Sequence, residues 1–135
     1  MAEIVRITDV APRDGLQNEP GVIATADKAE LVRLLAASGV DEVEVTSFVS
    51  PKWVPQLGDA EALLVELAEK KPAGVCYSVL VPNEKGMARA MTVDEQAGGS
   101  LIDKISVFSA ASETFSRKNT NASVSDTIER FKPVL

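Results

Sequence analysis

The sequence predicts an α/β fold in which parallel strands alternate with helices. Four short apolar runs are each followed by a stretch with helical spacing or helix-capping residues, and this repeat is typical of parallel strands joined by helical crossovers. The strands are predicted to start at residues 4, 42, 75 and 102, close to the roughly 31 residues that each unit of a TIM barrel uses. Residues 1–135 are therefore predicted to form the amino-terminal (β/α)4 half of a TIM (β/α)8 barrel domain.

The predicted strands cover residues 4–8, 42–48, 75–81 and 102–109. An open doubly wound sheet is the alternative arrangement. Such a sheet usually carries a glycine-rich phosphate turn after its first strand, and neither G-x-G-x-x-G nor G-x-x-x-x-G-K-[ST] occurs in the sequence. The absence of both motifs favours the barrel.

Strand two separates the two folds further. Val43 and Val45 point to one face, and the polar residues around them point to the other. Both faces should be apolar in a sheet that helices cover on both sides, so a polar face indicates a barrel interior. Acids and bases there must be paired, and one acid is expected to pair with two bases. The predicted inward-facing side chains are Glu42, Glu44 and Thr46 of strand two, Arg6 and Thr8 of strand one, and Lys104 and Ser106 of strand four.

Four helices are predicted from apolar spacing and capping residues. The last reaches the carboxyl end without a glycine cap, which suggests a truncated chain. The first helix runs from a Thr25 cap to Gly39 with Leu31, Leu34 and Leu35 on its buried face, the second buries Ala60, Leu63, Leu64, Leu67 and Ala68, the third starts at Asn83 and buries Met87, Ala90 and Met91, and the fourth starts at Ser123 or Ser125 and buries Ile128 and Phe131.

Composition excludes several classes of function. The formal charge of −6 argues against a nucleic-acid surface, and no apolar run approaches the roughly 20 residues that cross a bilayer. The single cysteine cannot form an internal disulfide, and the lack of histidine removes the commonest neutral-pH base and metal ligand. With no signal sequence at the amino end, a cytoplasmic location is expected.

The segment DVAPRDGLQNEP follows strand one and places Arg13, Asp14 and Gln17 in the first βα loop. Active sites of these barrels are built from such loops. A guanidinium can stabilise an oxyanion, and a carboxylate can hold a divalent cation. On this local pattern alone, a surface ion pair between Arg13 and Asp14 is the simpler interpretation.

Three segments, in the same order along the chain, resemble the amino-terminal half of the 3-hydroxy-3-methylglutaryl-CoA lyase family. Members of this family are metal-dependent lyases with a TIM-barrel fold. The segments are DVAPRDGLQNEP, EVTSFVSPKWVPQLGDA from Glu44 to Ala60, and FSAASETFSRKNTNAS from Phe108 to Ser123. The Arg-Asp-Gly core is shared with isopropylmalate and homocitrate synthases, whereas GLQNEP and TSFVSPKWVPQ point to the lyase.

This resemblance implies a retro-Claisen cleavage of 3-hydroxy-3-methylglutaryl-CoA, an acyl-CoA thioester, to acetyl-CoA and acetoacetate, as in leucine degradation and ketone body metabolism. It implies a divalent cation, Mg²⁺ or Mn²⁺, and a homodimer when the protein is complete. Arg13 would stabilise the enolate, Asp14 would be a metal ligand and could assist proton transfer, and Gln17 and Glu44 would position the substrate and Arg13. Ser47 would contact the substrate or hold local backbone.

The family's other metal ligands are two histidines and an asparagine from later strands, so the 135 residues alone are expected to be inactive. Two alternatives stay open: a Claisen-type synthase of the same superfamily, and a noncatalytic half barrel that associates through its edges. Of the smaller features, Trp53 is expected to pack its loop, with a substrate contact as the alternative, and Cys76 to be a structural thiol. Arg117 and Lys118 are expected to be solvated charges, with contact to a coenzyme A phosphate as the alternative.

Overall fold

A four-stranded parallel sheet forms the centre of the protein, and the computed structural model describes residues 3–135. The strands are hydrogen-bonded in the order β1-β2-β3-β4, so each new strand is added beside the previous one. A doubly wound sheet would reverse its order part-way, whereas this order is that of a barrel wall. The strands are β1 (Thr8–Asp9), β2 (Glu42–Ser47), β3 (Cys76–Leu80) and β4 (Lys104–Ser106).

Helices join the strands and also follow the last one. A π-helical turn, Ala11–Gly15, follows β1, and a 3₁₀ turn, Pro55–Leu57, lies in the loop after β2. No helix in the described part of the chain is long and apolar enough to cross a bilayer. The helices are α1 (Thr25–Ala37), α2 (Ala60–Ala68), α3 (Glu84–Gln96), α4 (Glu113–Thr120) and α5 (Val124–Phe131).

The core lies between one face of the sheet and helices α1 to α3. Val43 and Val45 of β2 are fully buried there, as the alternation of strand two predicted. Leu63, Leu64 and Leu67 of α2 pack on them. Each fully buried leucine stabilises the fold by about 1.5–3 kcal/mol relative to an exposed one. The regular spacing of these leucines allowed the buried face of α2 to be predicted from the sequence.

Strand β1 is shorter than predicted, because residues 4–7 are not in the sheet and Ile4 and Val5 are exposed. The amide of Ile7 donates to the Asp41 carboxylate at 2.7 Å instead of to a backbone carbonyl. Just before β1 begins, a side-chain carboxylate therefore accepts the amide hydrogen bond that a backbone carbonyl would accept in a regular strand. Strand β4 is also shorter than predicted, since Asp94 of α3 accepts the amides of residues 101 and 102 before the strand starts.

The predicted apolar face of α1 is wrong in part. Thr25 does not cap the helix, because its hydroxyl donates to Asp59 at 2.7 Å. Leu34 faces solvent, and the buried side is made instead by Lys28, Ala29, Val32 and Ala36. Gly39 does end the segment, with a φ of 96° that favours glycine.

The later helices also differ from the prediction. Asn83 caps α3 as expected, accepting from the Gly86 amide at 3.0 Å, but Met91 is exposed. Helix α4 was not predicted, and it begins at a Ser112 cap. Helix α5 starts at Ser123 with a reciprocal capping box and ends at Phe131, before the carboxyl end. Its Ile128 is exposed, while Thr127 is the buried residue.

An irregularity in β2 changes which side chains face the barrel interior. Glu44 pairs with Ser78, but Thr46 pairs with Val79, so Val45 and Thr46 lie opposite one residue of β3. Such a bulge inserts one residue into the alternation. Since paired residues share a face, Thr46 lies with the core residue Val79, and Ser47 lies with Glu44. The predicted inward position of Thr46 is therefore wrong.

Candidate active site

Arg13 lies at the centre of a charged cluster at the carboxyl end of the sheet. Its Nε donates to Oε1 of Glu44 on β2, and its Nη1 donates to Oδ1 of Asp14 at 2.8 Å. The side chains of Arg13, Asp14 and Glu44 are 19%, 57% and 8% exposed. The cluster thus has a buried carboxylate, Glu44, on one side of Arg13 and an exposed one, Asp14, on the other. An isolated surface ion pair, the simpler local interpretation, does not describe it.

The loop that carries Arg13 is shaped by backbone hydrogen bonds. The amides of Arg13, Asp14 and Gly15 all point to the carbonyl of Val10, at 3.2, 2.8 and 3.4 Å. Buried Pro12 lies in the first turn, and the Asp9 carboxylate accepts the Ala11 amide at 2.8 Å. Gly15 is not among the glycines with positive φ, so the hydrogen bonds, rather than its conformational freedom, form the turn.

Glu44 is fixed from two sides. Its Oε2 accepts from the Ser106 hydroxyl of β4 at 3.0 Å, while its Oε1 binds Arg13. A buried carboxylate with both oxygens hydrogen-bonded keeps one orientation. Glu44 therefore holds Arg13 at a defined place above the sheet.

A second ion pair lies one step further from the rim. Lys104 donates to both oxygens of Glu42, at 2.9 and 3.0 Å. Burial alone would raise the pKa of Glu42, but the hydroxyl of Ser78 and the ammonium of Lys104 outweigh it and hold that pKa below its usual value. The expected pairing of one inner acid with two bases is correct in part: Lys104 binds Glu42, whereas Arg6 forms no ion pair among residues 3–135 and acts on Glu42 only through its charge. Glu44 is bound by Arg13 instead.

Gln17 and Ser47 have different environments. Gln17 is half-buried, and its side chain makes no hydrogen bond among residues 3–135. Ser47 is fully buried, and its hydroxyl accepts the Val49 amide at 3.3 Å. Of the two roles predicted for Ser47, the structure shows the contact with local backbone. The side-chain amide of Gln17 remains free.

The loop after β2 is tied to the first loop and to α1. Lys28, 2% exposed, donates to the Gln56 carbonyl and to Asp59 at 2.7 Å. The Gln56 amide group donates to the carbonyl of Glu19 at 2.9 Å. These contacts were not predicted. Their only signal in the sequence was a lysine on the apolar side of α1.

The other end of that loop is held by α3. Arg89 donates to the carbonyls of Phe48 and Val49 at 3.3 and 3.4 Å, and its guanidinium lies over the Phe48 ring at 5.3 Å. Glu61 of α2 binds Arg89 at 2.6 and 3.0 Å. The hydrogen bond from Arg89 lowers the pKa of Glu61. Basic side chains from two helices therefore fix both ends of the second loop.

Cys76 lies away from this site. It is half-buried at the start of β3, beside a cavity of ≈ 650 Å³ at the amino-terminal ends of the strands. Burial raises the pKa of its thiol, and the charges of Glu42 and Asp103 raise it further. A protonated thiol is a poor nucleophile, which agrees with the expected structural role.

The described residues offer one carboxylate to a metal at the rim. Oδ1 of Asp14 accepts a hydrogen bond from Arg13, whereas Oδ2 accepts none from residues 3–135. No group of three or more potential His, Cys, Asp or Glu ligands occurs in this range. The donor set fits a hard cation such as Mg²⁺ in kind but supplies only one of its ligands.

Comparison with known proteins extends these observations. The chain is 47% identical over 131 residues to 3-hydroxy-3-isohexenylglutaryl-CoA/hydroxy-methylglutaryl-CoA lyase of Pseudomonas aeruginosa, covering 97% of the chain and 41% of that protein. It is 43% identical to the human mitochondrial hydroxymethylglutaryl-CoA lyase, of which it covers 38%. The chain thus spans about two fifths of the length of these curated relatives.

Solved structures agree with the sequence comparison. The HMG-CoA lyase of Brucella melitensis superposes with a TM-score of 0.85 at 46% identity, over 98% of this chain and 44% of that one. An Acinetobacter baumannii HMG-CoA lyase in complex with coenzyme A and 3-methylmalate superposes with a TM-score of 0.83 at 30% identity, over 95% of this chain and 39% of that one.

Sequential parallel strands with a charged cluster at their carboxyl ends are the arrangement of the amino-terminal half of a (β/α)8 barrel. The half-barrel fold predicted from the sequence is therefore confirmed. A family model described as HMGL-like matches residues 4–135, and the chain belongs to that family.

Proposed function

We propose that this chain supplies the Arg-Asp half of a carbon-carbon lyase site that cleaves 3-hydroxy-3-methylglutaryl-CoA to acetyl-CoA and acetoacetate. One observation carries the proposal: Arg13 is held between buried Glu44 and exposed Asp14 at the rim where barrel enzymes bind substrate. Support for the substrate class comes from the relatives, which are named as lyases of such thioesters, and from the neighbour with coenzyme A bound.

The reaction needs a stabilised enolate. The tertiary hydroxyl loses its proton, the bond between its carbon and the thioester α-carbon breaks, and the electron pair of that bond forms the acetyl-CoA enolate, which then takes up a proton. A guanidinium can stabilise the negative charge that develops on the enolate oxygen. Nη2 of Arg13 makes no hydrogen bond among residues 3–135, so it can donate to the enolate oxygen.

The other residues act around Arg13. Glu44 orients the guanidinium, Gln17 offers its free amide to the substrate, and Ser47 fixes the backbone where the second loop starts. Asp14 would hold the cation through its free oxygen and could assist proton transfer. Lyases of this family are metal-dependent, and a bound Mg²⁺ or Mn²⁺ would lower the pKa of the substrate hydroxyl.

Further parts of the proposal concern the whole protein. The acetoacetate product fits a place in leucine degradation and ketone body metabolism, and the complete protein is expected to be a homodimer. A cytoplasmic location stays a prediction, since the relatives include mitochondrial enzymes. With a single metal ligand in place, residues 1–135 alone are expected to be inactive.

The first prediction tests Arg13 in a completed barrel. Residues 1–135 would be joined to the remaining part of the Pseudomonas aeruginosa relative, and acetyl-CoA release from the hydroxymethylglutaryl thioester would be measured. Arg13→Gln should lower kcat by about 10²–10³ or more, because an oxyanion donor is lost, while Mn²⁺ binding measured by calorimetry persists.

The matched control is Arg117→Gln, since Arg117 is exposed and pairs only loosely with Glu113 at 3.7 Å. It should leave kcat unchanged. Near-normal turnover of Arg13→Gln would refute the role of Arg13. Condensation of acetyl-CoA with a 2-oxo acid by the same chimera, without thioester cleavage, would favour a synthase instead.

A further inference from the structure

Trp53 is exposed at the rim of the sheet, although an apolar side chain of this size is usually buried. It is 82% exposed and lies in the loop between β2 and α2, beyond the same strand end as Glu44 and Ser47. The expectation that it packs its own loop is wrong. Leu57, four residues on, is buried and performs that packing.

The open edges of the sheet do not explain this exposure. Most of the large apolar side chains exposed near the sheet lie at its two edges, Ile4, Val5 and Ile7 before and at β1 and Val107 and Phe108 after β4. Strand β2 lies between β1 and β3. Further strands that extend the sheet would cover its edges rather than the loop beyond an interior strand.

The loop presents Trp53 on a fixed base. Its two ends are held by Arg89 and by Lys28, as described above. In its middle, the amides of Trp53 and Val54 donate to the Ser50 carbonyl at 2.9 and 3.1 Å. Gly58 lies so close to Pro51 that an added Cβ would be 3.3 Å from the proline Cβ. Because the backbone that carries the indole is fixed, the loop itself loses little conformational freedom when the ring binds a flat ligand.

Lys52, adjacent to Trp53 in the sequence, adds a positive charge to the exposed part of this loop. It is exposed and forms no ion pair with the described residues, in a chain whose net charge is −6. The nearest acid along the loop, Asp59, is already neutralised by Lys28 at 2.7 Å. An exposed aromatic face next to an unpaired ammonium suits a ligand that combines a planar base with phosphate.

We propose that Trp53 and Lys52 bind the adenine nucleotide end of the acyl-CoA thioester. The indole stacks on the adenine ring, and the Lys52 ammonium pairs with a phosphate of the same nucleotide. The identity of the ligand rests on the proposed function, because coenzyme A is the adenine nucleotide that this function brings to the rim. The reacting end of the thioester then extends toward Arg13.

Trp53 is the only tryptophan of the chain, so its fluorescence reports the site directly. The 135-residue chain would be titrated with coenzyme A, with excitation beyond the absorption of adenine. Saturable quenching is expected, with ADP competing and pantetheine not competing. Unchanged fluorescence, or competition by pantetheine alone, would overturn the proposal.

Variants separate the two contacts. Trp53→Ala should weaken binding of coenzyme A, measured by calorimetry, by at least about fivefold, and Trp53→Phe should restore part of it. Lys52→Gln should weaken coenzyme A binding and its salt dependence but leave adenosine binding unchanged. The controls are Met91→Ala, which removes another large exposed apolar side chain, and Lys85→Gln, which makes the same change as Lys52→Gln; both lie on α3. Equal affinity of the parent and Trp53→Ala, with thermal unfolding unchanged, would contradict the stacking.

The completed chimera distinguishes this proposal from the lyase proposal. If it binds coenzyme A through Trp53 but releases no acetyl-CoA, the lyase function fails and the nucleotide contact stands. If it is active and Trp53→Ala leaves KM and kcat unchanged, the nucleotide contact fails and the lyase function stands.

Discussion

At the scale of single residues, the inner face of the sheet depends on buried acids that remain charged. Glu42 is almost completely buried, yet the Ser78 hydroxyl and the Lys104 ammonium hold its pKa below the ordinary value of 4.5 against the effect of burial. A carboxyl whose pKa is lower in the folded state stabilises the fold above its unfolded pKa. That stabilisation disappears as pH falls through the folded pKa.

This linkage gives the second prediction. Lys104→Met should lower the free energy of unfolding at pH 7 by about 1 kcal/mol, a modest value because the Lys104 side chain is half exposed. The difference from the parent should shrink between about pH 5 and pH 3, as Glu42 becomes protonated. Urea unfolding followed by circular dichroism at several pH values measures it.

Lys118→Met is the control, since Lys118 is exposed and forms no ion pair among residues 3–135. It should change stability little at any pH. A Lys104→Met deficit that stays constant from pH 7 to pH 3 would show that Glu42 is not the partner.

The sequence identified the residues of the site better than their contacts. Arg13, Asp14 and Glu44 follow from motifs in one loop and one strand, and they do come together. Glu44 was expected to position Arg13, and it does. The alternation that placed Arg6 and Lys104 on the inner face could not show which acid each base would meet, because it does not tell how far along a barrel axis two side chains lie. The partner of Glu44 comes from a π-helical turn 31 residues away, whose shape depends on hydrogen bonds to Val10 rather than on residue type.

At the scale of elements, the second rim loop is fixed at both ends by long basic side chains from neighbouring helices. Lys28 reaches from α1 to the end of the second loop, where Asp59 and the Gln56 carbonyl bind it. The periodicity of α1 did not reveal this, because the predicted buried face was defined by its leucines and made no use of Lys28. The charge is tolerated in the interior since it is paired.

The third prediction concerns this clamp. Lys28→Met should lower the free energy of unfolding by about 2–4 kcal/mol, because Asp59 and a carbonyl lose their buried partner while Asp59 keeps partial access to water. Chemical denaturation measures the loss, and Trp53 fluorescence anisotropy should fall as the loop becomes mobile.

Lys70→Met provides the comparison, since Lys70 is exposed just after α2. It should leave both stability and anisotropy near the parent values. A loss of stability without any change in anisotropy would mean that Lys28 supports α1 but does not hold the loop.

At the scale of the whole molecule, the fold class was predictable because four strand and helix repeats allow few topologies. Parallel strands added in sequence follow from short crossovers of one hand, and the sheet order confirms them. What the repeat could not show is where each edge strand ends. Val5 is 77% exposed, since the pairing of β1 with β2 begins only at Thr8.

The fourth prediction follows from these edges. The 135-residue chain should associate with increasing concentration, because both outer strands have unpaired backbone groups beside exposed apolar side chains. Val5→Lys should shift sedimentation profiles toward monomer, since an edge lysine opposes strand pairing.

Leu34→Lys makes the same change on the outer face of α1, where Leu34 is exposed away from any strand edge. It should leave association unchanged. A monomeric parent at every concentration, or an equal effect of both variants, would remove support for association through the edges and with it the noncatalytic alternative.

The bulge in β2 also determines how this strand tolerates changes in length. Val45 and Thr46 together occupy one place opposite Val79, so losing either codon would leave a regular strand with Glu44 and Ser47 still on the same face. Loss of Val43 or Glu44 would instead move the side chains of the neighbouring part of the strand to the opposite face of the sheet. Only in-frame deletions at codon 45 or 46 are therefore compatible with an unchanged rim, and natural length variation in this strand should be confined to that point.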